Sequence, residues 1–234
     1  MTKLSPHTDI TILLDRSGSM ASIKSAMESG FDEFLSKHRE TPSTRLSLVQ
    51  FDGTQPYDVV YTEQPIADVP RLTLEPRGMT PLRDALCRTI DEVGRRLRDK
   101  RESARPSKVL FLVITDGLEN ASREHTVKDV KRRIKTQTNE YRWEFVYLGA
   151  NQDALVEAEK LGIDLGKAIT FTAGLRGTAN AWSSLTTNTS NYVSDSSPMA
   201  SVTNYSSHQR KQAIETDSSD DRVKQTTTTT NGTS

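Results

Sequence analysis

Residues 9–20 have the sequence DITILLDRSGSM, in which a short apolar run ends at an acid and alternating hydroxyls. The run at positions 10–14 is typical of a strand that is buried on both faces. Asp15, Ser17 and Ser19 follow it around a glycine, and the turn they form should lead into a helix, because apolar residues then recur at helical spacing, at Ile23, Met27, Phe31, Phe34 and Leu35. Open α/β sheets bind ligands at such a turn, between the carboxyl end of a strand and the amino end of a helix.

The side chains of this turn favour a hard divalent cation. A carboxylate and neutral hydroxyls offer small oxygen ligands without sulfur or imidazole, which suits Mg²⁺ first, with Mn²⁺ or Ca²⁺ as alternatives. Serine is also a preferred residue at the amino end of a helix. Taken alone, the turn leaves two interpretations open, because Ser17 and Ser19 are either metal ligands or helix caps.

Two later stretches supply further oxygen atoms at the boundaries of predicted elements. Thr80 lies in GMTPL, residues 78–82, directly before a strongly helical segment. Asp116 ends a second buried-strand pattern, KVLFLVITDG, at residues 108–117. A threonine followed by proline is also a common way to begin a helix, so capping remains the alternative for Thr80.

Together the three stretches resemble the metal-ion-dependent adhesion site (MIDAS) of von Willebrand factor A (vWA) domains. The resemblance covers about residues 4–171. In that family the first motif follows the first strand, the threonine precedes a helix, and the aspartate ends the fourth strand. The resemblance implies that Ser17, Ser19 and Thr80 are direct or switchable metal ligands. It also implies that Asp15 and Asp116 act directly or through water.

Two neighbouring charged residues have open roles. Arg16 occupies a variable position of the motif, and its cation is expected beside the site, where it would bias which acidic partner docks. Glu119 follows Asp116 in a polar loop. It is either an acid behind the metal ligands, a contact for the partner, or an exposed loop residue.

The rest of the chain alternates between strand and helix patterns, which favours a doubly wound α/β fold. The predicted class has a mostly parallel central sheet, one antiparallel edge strand and helices on both faces, which is the Rossmann-like fold that the vWA resemblance implies. Residues 65–76 are predicted to wrap back as a loop towards the metal side. Further strands are expected at 45–51, 57–62 (the antiparallel edge), 143–148 and 169–172, and further helices at 82–97, 127–134 and 153–161.

The chain is predicted to divide near residue 187. Residues 1–187 should form the vWA domain, with a last helix around 179–185 that packs through Trp182 and Leu185. Residues 188–234 are rich in Ser, Thr and Asn and contain few apolar side chains, so they are predicted to be a disordered tail. A short helix around 208–216 is an alternative within that tail.

Composition argues against several other classes of function. Lys plus Arg and Asp plus Glu both number 31, so no net field recruits nucleic acid or an anionic membrane. No apolar stretch approaches the ~20 residues of a membrane span, and the first nine residues lack a secretory pattern. A cytoplasmic monomer from a bacterium or a phage is expected. Cys87 is the single cysteine and should be a buried apolar residue, while the four scattered histidines indicate no zinc site.

The vWA resemblance implies a metal-dependent protein–protein interaction module and no enzyme activity. The cation would bind the side chain of a glutamate or aspartate from a partner protein. One alternative is an Mg²⁺-dependent phosphohydrolase or phosphotransferase that uses Asp15, but such enzymes need a second acid two residues later, and Ser17 stands there. A structural vWA domain with a vestigial site is the third possibility.

Overall fold

The computed structural model describes residues 5–41, 43–151, 153–197 and 199–217, and these form one sheet flanked by helices. The strands are β1 (Ser5–Asp15), β2 (Thr44–Phe51), β3 (Asp58–Pro65), β4 (Pro106–Thr115), β5 (Glu144–Ala150) and β6 (Ala168–Phe171). The α-helices are α1 (Lys24–His38), α2 (Leu82–Asp99), α3 (Val127–Tyr141), α4 (Ala154–Leu161), α5 (Leu175–Ser194) and α6 (Ser207–Ala213).

The strand order is β3-β2-β1-β4-β5-β6. Every neighbouring pair is parallel except β2 and β3, so β3 is an antiparallel strand at one edge. The predicted fold class is therefore confirmed, including the antiparallel edge. In this order β1 lies between β2 and β4, and the chain leaves β1 towards β2 on one side but reaches β4 on the other. The carboxyl end of β1 is thus the switch point at which doubly wound sheets form crevices.

Two apolar layers cover the sheet because β1 alternates its side chains between the faces. Ile10, Ile12 and Leu14 belong to the layer beneath α1, α5 and α6, whereas Leu13 belongs to the layer beneath α2, α3 and α4. Trp182 of α5 packs edge-on against Phe31 of α1, with ring centroids 6.0 Å apart. This contact confirms that the predicted last helix packs through Trp182, although the helix is longer than residues 179–185.

The helix starts near the candidate ligands differ from the capping interpretations. α2 begins at Leu82 with Pro81 before it, and no side chain caps its amino end. A short 3₁₀ helix, Gly18–Ile23, follows β1, and Ser17 makes no capping hydrogen bond to it. Ile23 precedes α1, again without a side-chain cap. The hydroxyls of Ser17, Ser19 and Thr80 are therefore not used as caps in this structure.

The predicted disorder after residue 187 is wrong for the described residues 188–197 and 199–217. α5 continues to Ser194, and α6 covers most of the short helix that was an alternative there. A few apolar side chains suffice because four of them join the core: Tyr192, Val202, Tyr205 and Ala213 are at most 5% exposed. Residues 218–234, the rest of the predicted tail, lie outside the described residues.

Two smaller expectations concern the single cysteine and membrane-spanning helices. Cys87 is fully buried on α2, as predicted. Within the residues that the structure describes, none of the helices has the length and apolar character needed to cross a bilayer.

Candidate metal centre

Three loops at the carboxyl edge of the sheet carry the five predicted ligands. The first loop follows β1, the second precedes α2, and the third follows β4. Because β1 and β4 are adjacent and parallel, with Leu14 opposite Ile114, the residues that follow the two strands leave the sheet side by side. The second loop joins them through paired hydrogen bonds: the Thr80 amide donates to Asn120 Oδ1 at 2.9 Å, and the Asn120 amide donates to the Thr80 carbonyl at 3.2 Å.

Asp15 lies at the floor of this arrangement and is fully buried. The Thr115 hydroxyl donates to its Oδ2 at 2.6 Å, and the Ser17 amide donates to its Oδ1 at 2.7 Å. Burial raises the pKa of Asp15 to about 6, although both hydrogen bonds act in the opposite direction. The carboxylate is thus oriented by neutral donors that do not balance its charge.

The hydroxyls form a connected row above Asp15. Ser17 Oγ and Ser19 Oγ lie 3.1 Å apart, and the Ser19 hydroxyl donates to Asp116 Oδ1 at 2.6 Å. Thr80 faces the same space across Gly117, where an added Cβ would lie 3.2 Å from Thr80 Oγ1 and 3.6 Å from Ser19 Oγ. The structure therefore brings all five predicted residues together, and the glycine leaves room between the hydroxyls.

Negative charge at this site has no cationic partner in the described part of the chain. Neither Asp15 nor Asp116 forms an ion pair there, and burial also raises the pKa of Asp116. The described residues hold no group of three or more His, Cys, Asp or Glu that suits a metal ion. The present donor set does not count as such a group, since only two of its five members are carboxylates and the other three are hydroxyls. Such a set fits a hard cation with oxygen ligands and water, and does not fit a thiophilic metal.

The expectation for Arg16 is wrong. Its side chain is only 6% exposed and turns away from the hydroxyl row. It donates to Asp52, Asp58 and Gln50 at the ends of β2 and β3. The guanidinium therefore makes its hydrogen bonds inside the protein and does not face a docking partner.

Glu119 fastens the loop that follows β4. Its carboxylate accepts hydrogen bonds from the amides of Arg83, Ala121 and Ser122 at 2.8, 2.9 and 2.7 Å. The side chain is 15% exposed, so the interpretation as an exposed loop residue is wrong. Glu119 ties this loop to the first turn of α2 and thereby keeps Asp116 near Thr80.

Sequence reasoning missed two supporting residues, Thr115 and Asn120. Thr115 orients Asp15, and Asn120 holds the backbone of Thr80. Their only sequence signal is position, since both flank Asp116 within a polar segment. Which strand or loop they reach depends on the order of strands in the sheet, and the local sequence does not contain that information.

Residues 9–174 match the model of the von Willebrand factor type A domain family. The chain belongs to this family. Among solved structures with a similar fold is proximal thread matrix protein 1 from the mussel byssus, with a TM-score of 0.58 and 14% identity over 79% of this chain and 48% of that one. The pilus adhesin SpaC from Lactobacillus rhamnosus GG, in an open conformation, gives a TM-score of 0.59 and 12% identity, covering 82% of this chain and 30% of that chain.

A von Willebrand factor type A protein from Catenulispora acidiphila gives a TM-score of 0.51 and 17% identity over 78% of this chain and 42% of that chain. This vWA chain thus spans less than half the length of each of these three proteins, and identities this low show a shared fold only. A comparison with curated proteins gives no significant match.

Proposed function

We propose that this vWA domain is a metal-dependent protein–protein interaction module without catalytic activity. In this proposal the MIDAS residues Asp15, Ser17, Ser19, Thr80 and Asp116 hold a divalent cation, with Mg²⁺ as the first candidate. The ligand is the side chain of an acidic residue on a partner protein. The proposal adopts the cytoplasmic location that the sequence predicts.

The observation that carries this proposal is the burial of Asp15, which no cation among the described residues balances. Placing an ionised carboxylate in a protein interior costs several kcal/mol unless an opposite charge compensates it. At this site the hydrogen-bond donors are a hydroxyl and an amide. A bound divalent cation would supply the missing charge and, held mostly by neutral hydroxyls, would remain electrophilic enough to accept an external carboxylate.

Each residue has a defined task in this proposal. Asp15 lies deepest and would balance the charge of the ion, while Ser17 and Thr80, each at 2% exposure, would offer their hydroxyl oxygens. Ser19 and Asp116 are more accessible and already share a hydrogen bond. The accessible side of the site is therefore where a partner's carboxylate would arrive.

Metal binding is tested by titrating Mg²⁺ into the protein by calorimetry and by following its thermal unfolding with and without a chelator. We expect Mg²⁺ to raise the melting temperature of the wild type and to have no such effect on Thr80→Ala or Ser17→Ala. Ser36→Ala is the matched control, since Ser36 is exposed on α1 and outside the donor set. Equal Mg²⁺ stabilisation of Thr80→Ala and the wild type would reject the site.

Partner binding is tested by affinity capture from a lysate of the source cells, in Mg²⁺ and in chelator, with Thr80→Ala in parallel. The proposal expects a protein that is retained only by the wild type in Mg²⁺. Each surface Asp or Glu of that protein is then changed to its amide, and one such change should abolish retention. Capture that is equal in all three samples, or that survives every amide change, would contradict docking through the metal.

The phosphohydrolase alternative has no observation in its favour. The residue two positions after Asp15 is Ser17, whose amide and hydroxyl belong to the site described above. A colorimetric assay with para-nitrophenyl phosphate and Mg²⁺ distinguishes the two functions. Turnover that depends on Asp15 would overturn the non-catalytic part of the proposal.

A further inference from the structure

Arg16 stands between two of the proposed ligands, Asp15 and Ser17, yet its side chain serves another purpose. Its Nε donates to Asp52 Oδ2 at 2.9 Å, and its Nη1 donates to Asp58 Oδ2 at 2.8 Å. Its backbone also takes part, because its amide donates to the Phe51 carbonyl at 2.8 Å. Arg16 thus binds the end of β1 to the segment that follows β2.

Asp52 also connects Arg16 to a third segment, the loop that contains Arg77. Its carboxylate is fully buried, and Oδ2 accepts from Arg16 and also from Arg77 Nε at 3.1 Å. Its other oxygen, Oδ1, accepts the amides of Thr54 and Gln55 at 2.7 and 2.9 Å. Burial alone would raise the pKa of Asp52, but these amides and guanidinium groups outweigh it and lower the pKa. An ionised carboxylate therefore joins the two arginines.

The backbone of the loop before Thr80 is held against the same residues. The Arg77 amide donates to the Arg16 carbonyl at 2.8 Å, and the Gly18 amide donates to the Gly78 carbonyl at 3.1 Å. Gly78 has φ of +70°, a conformation that favours glycine. At Gly53 a Cβ would lie 2.7 Å from the Met79 amide nitrogen, so only glycine permits this close approach.

From these contacts we infer that Arg16, Asp52 and Arg77 form a clamp that positions Thr80 for metal binding. The clamp is a positioning device, since none of its three side chains belongs to the proposed donor set. The clamp holds two loops together, the one after β1 that carries Ser17 and Ser19 and the one before α2 that carries Thr80. It thereby fixes the distance between these proposed ligands. The inference rests on the proposed metal site and adds to it the residues that hold the site in shape.

A purely structural role for Arg16 predicts a different result from a positioning role, and the chain offers a matched control. Arg96 pairs with the fully buried Asp9 at 2.9 Å, in the amino-terminal half of β1 and away from the loop that follows this strand. Arg16→Ala and Arg96→Ala therefore each take a guanidinium from a fully buried aspartate, although Asp52 keeps Arg77 as a second partner. Only the first change touches the loop that carries Thr80.

The experiment measures Mg²⁺ affinity by calorimetry and the exchange rates of individual amides by NMR, for variants shown to be folded by circular dichroism. We expect Arg16→Ala to weaken Mg²⁺ binding about 10- to 100-fold, the range seen when residues that support metal ligands are removed. The amides of Arg77 and Thr80 should also exchange faster. Arg96→Ala should destabilise the fold but leave Mg²⁺ affinity and these two amides unchanged.

Two milder variants keep the inference testable if Arg16→Ala does not fold. Arg77→Ala removes a side chain that is 43% exposed, and it should weaken Mg²⁺ binding with little effect on unfolding. Arg16→Lys keeps the charge but loses the planar fork that reaches Asp52 and Asp58 together, so it should restore Mg²⁺ affinity only in part.

The outcomes separate the clamp from the proposed function. Wild-type Mg²⁺ affinity in folded Arg16→Ala and Arg77→Ala, or equal losses in Arg96→Ala, would overturn the clamp while leaving the metal site intact. Failure of the wild type itself to bind Mg²⁺ would overturn the proposed function. In that case the amide exchange rates of Arg77 and Thr80 in Arg16→Ala still test whether the clamp positions the loop. Unchanged rates would overturn this positioning role, and faster rates would support it.

Discussion

Strand β1 carries two aspartates that are fully buried, Asp9 in its amino-terminal half and Asp15 at its carboxyl end, and in each case burial raises the pKa to about 6. The Arg96 guanidinium donates to both oxygens of Asp9, at 2.9 and 3.1 Å. Asp15 instead receives hydrogen bonds from neutral groups, among them the Thr115 hydroxyl and the Ser17 amide. Among the described residues, the same strand therefore holds one carboxylate with a counter-charge and one without.

This difference separates a structural charge from a candidate functional one. In a buried ion pair, the attraction between the two charges offsets the cost of removing them from water. Such a carboxylate needs no further cation. A buried carboxylate with neutral partners keeps that cost until a cation arrives. Burial alone thus does not distinguish the two aspartates, whereas the identity of their hydrogen-bond donors does.

The largest effect should come from breaking the ion pair between Asp9 and Arg96. Arg96→Ala leaves Asp9 buried and uncompensated, and we expect it to lower the free energy of unfolding by about 3–5 kcal/mol at pH 7.5. Urea unfolding followed by circular dichroism measures this change. A loss below about 1 kcal/mol would mean that Asp9 and Asp15 do not differ in the way described.

The next effect concerns the carboxyl end and should have the opposite sign. In chelator at pH 7.5, Asp15→Asn removes an uncompensated charge, so we expect the free energy of unfolding to rise by about 1–3 kcal/mol. Mg²⁺ should then stabilise the wild type but not the variant. Urea unfolding in chelator and in Mg²⁺ provides both numbers. A destabilised Asp15→Asn in chelator would show that the hydrogen bonds of Asp15 outweigh its burial.

The pH dependence sharpens the same comparison. Folded Asp15 holds its proton up to about pH 6, whereas its ordinary pKa is 3.8. Between these values the folded chain binds more protons than the unfolded chain, so the stability that Asp15 contributes falls as the pH rises, by about 1 kcal/mol per unit near pH 5. The difference in unfolding free energy between Asp15→Asn and the wild type should therefore grow from pH 4 to pH 6 in chelator. A constant difference over that range would contradict the raised pKa.

The smallest effect provides the scale for exposed charges. Arg133 pairs with Asp91 at 2.8 Å, but the Asp91 side chain is 54% exposed. Arg133→Ala should cost only about 0.2–1 kcal/mol, because solvent screens such pairs. Urea unfolding measured beside Arg96→Ala checks this value. Equal losses in the two variants would indicate that burial does not govern the strength of ion pairs in this protein.

Much of the fold could be predicted because strands and helices leave periodic patterns. The runs that became β1 and β4 are continuous and apolar, as buried parallel strands are, and β3 was expected at the edge. The part after residue 187 was mispredicted because composition averages over the segment. Tyr192, Val202 and Tyr205 are few, but each reaches the core, and the sequence does not show where a sparse apolar side chain points.

The sequence was enough to single out five candidate ligands that the structure brings together, but not the residues that support them. Asp15, Ser17 and Ser19 lie within one short turn, and Thr80 and Asp116 each sit at the boundary of a strongly patterned element. Arg16 was assigned to the wrong surroundings because its direction depends on β2 and β3, which lie more than thirty residues further along the chain.

The sequence by itself determined the order of strands and helices, the oxygen-rich turn after β1, and the five candidate ligands, since each depends on local pattern. Only the tertiary structure decided that Thr115 and Ser17 orient Asp15, that Asp52 joins Arg16 to Arg77, and that among the described residues Asp9 has a counter-charge while Asp15 has none. The physical reason is that compensation of a buried charge depends on distances between segments remote in sequence. Those distances exist only once the sheet has assembled.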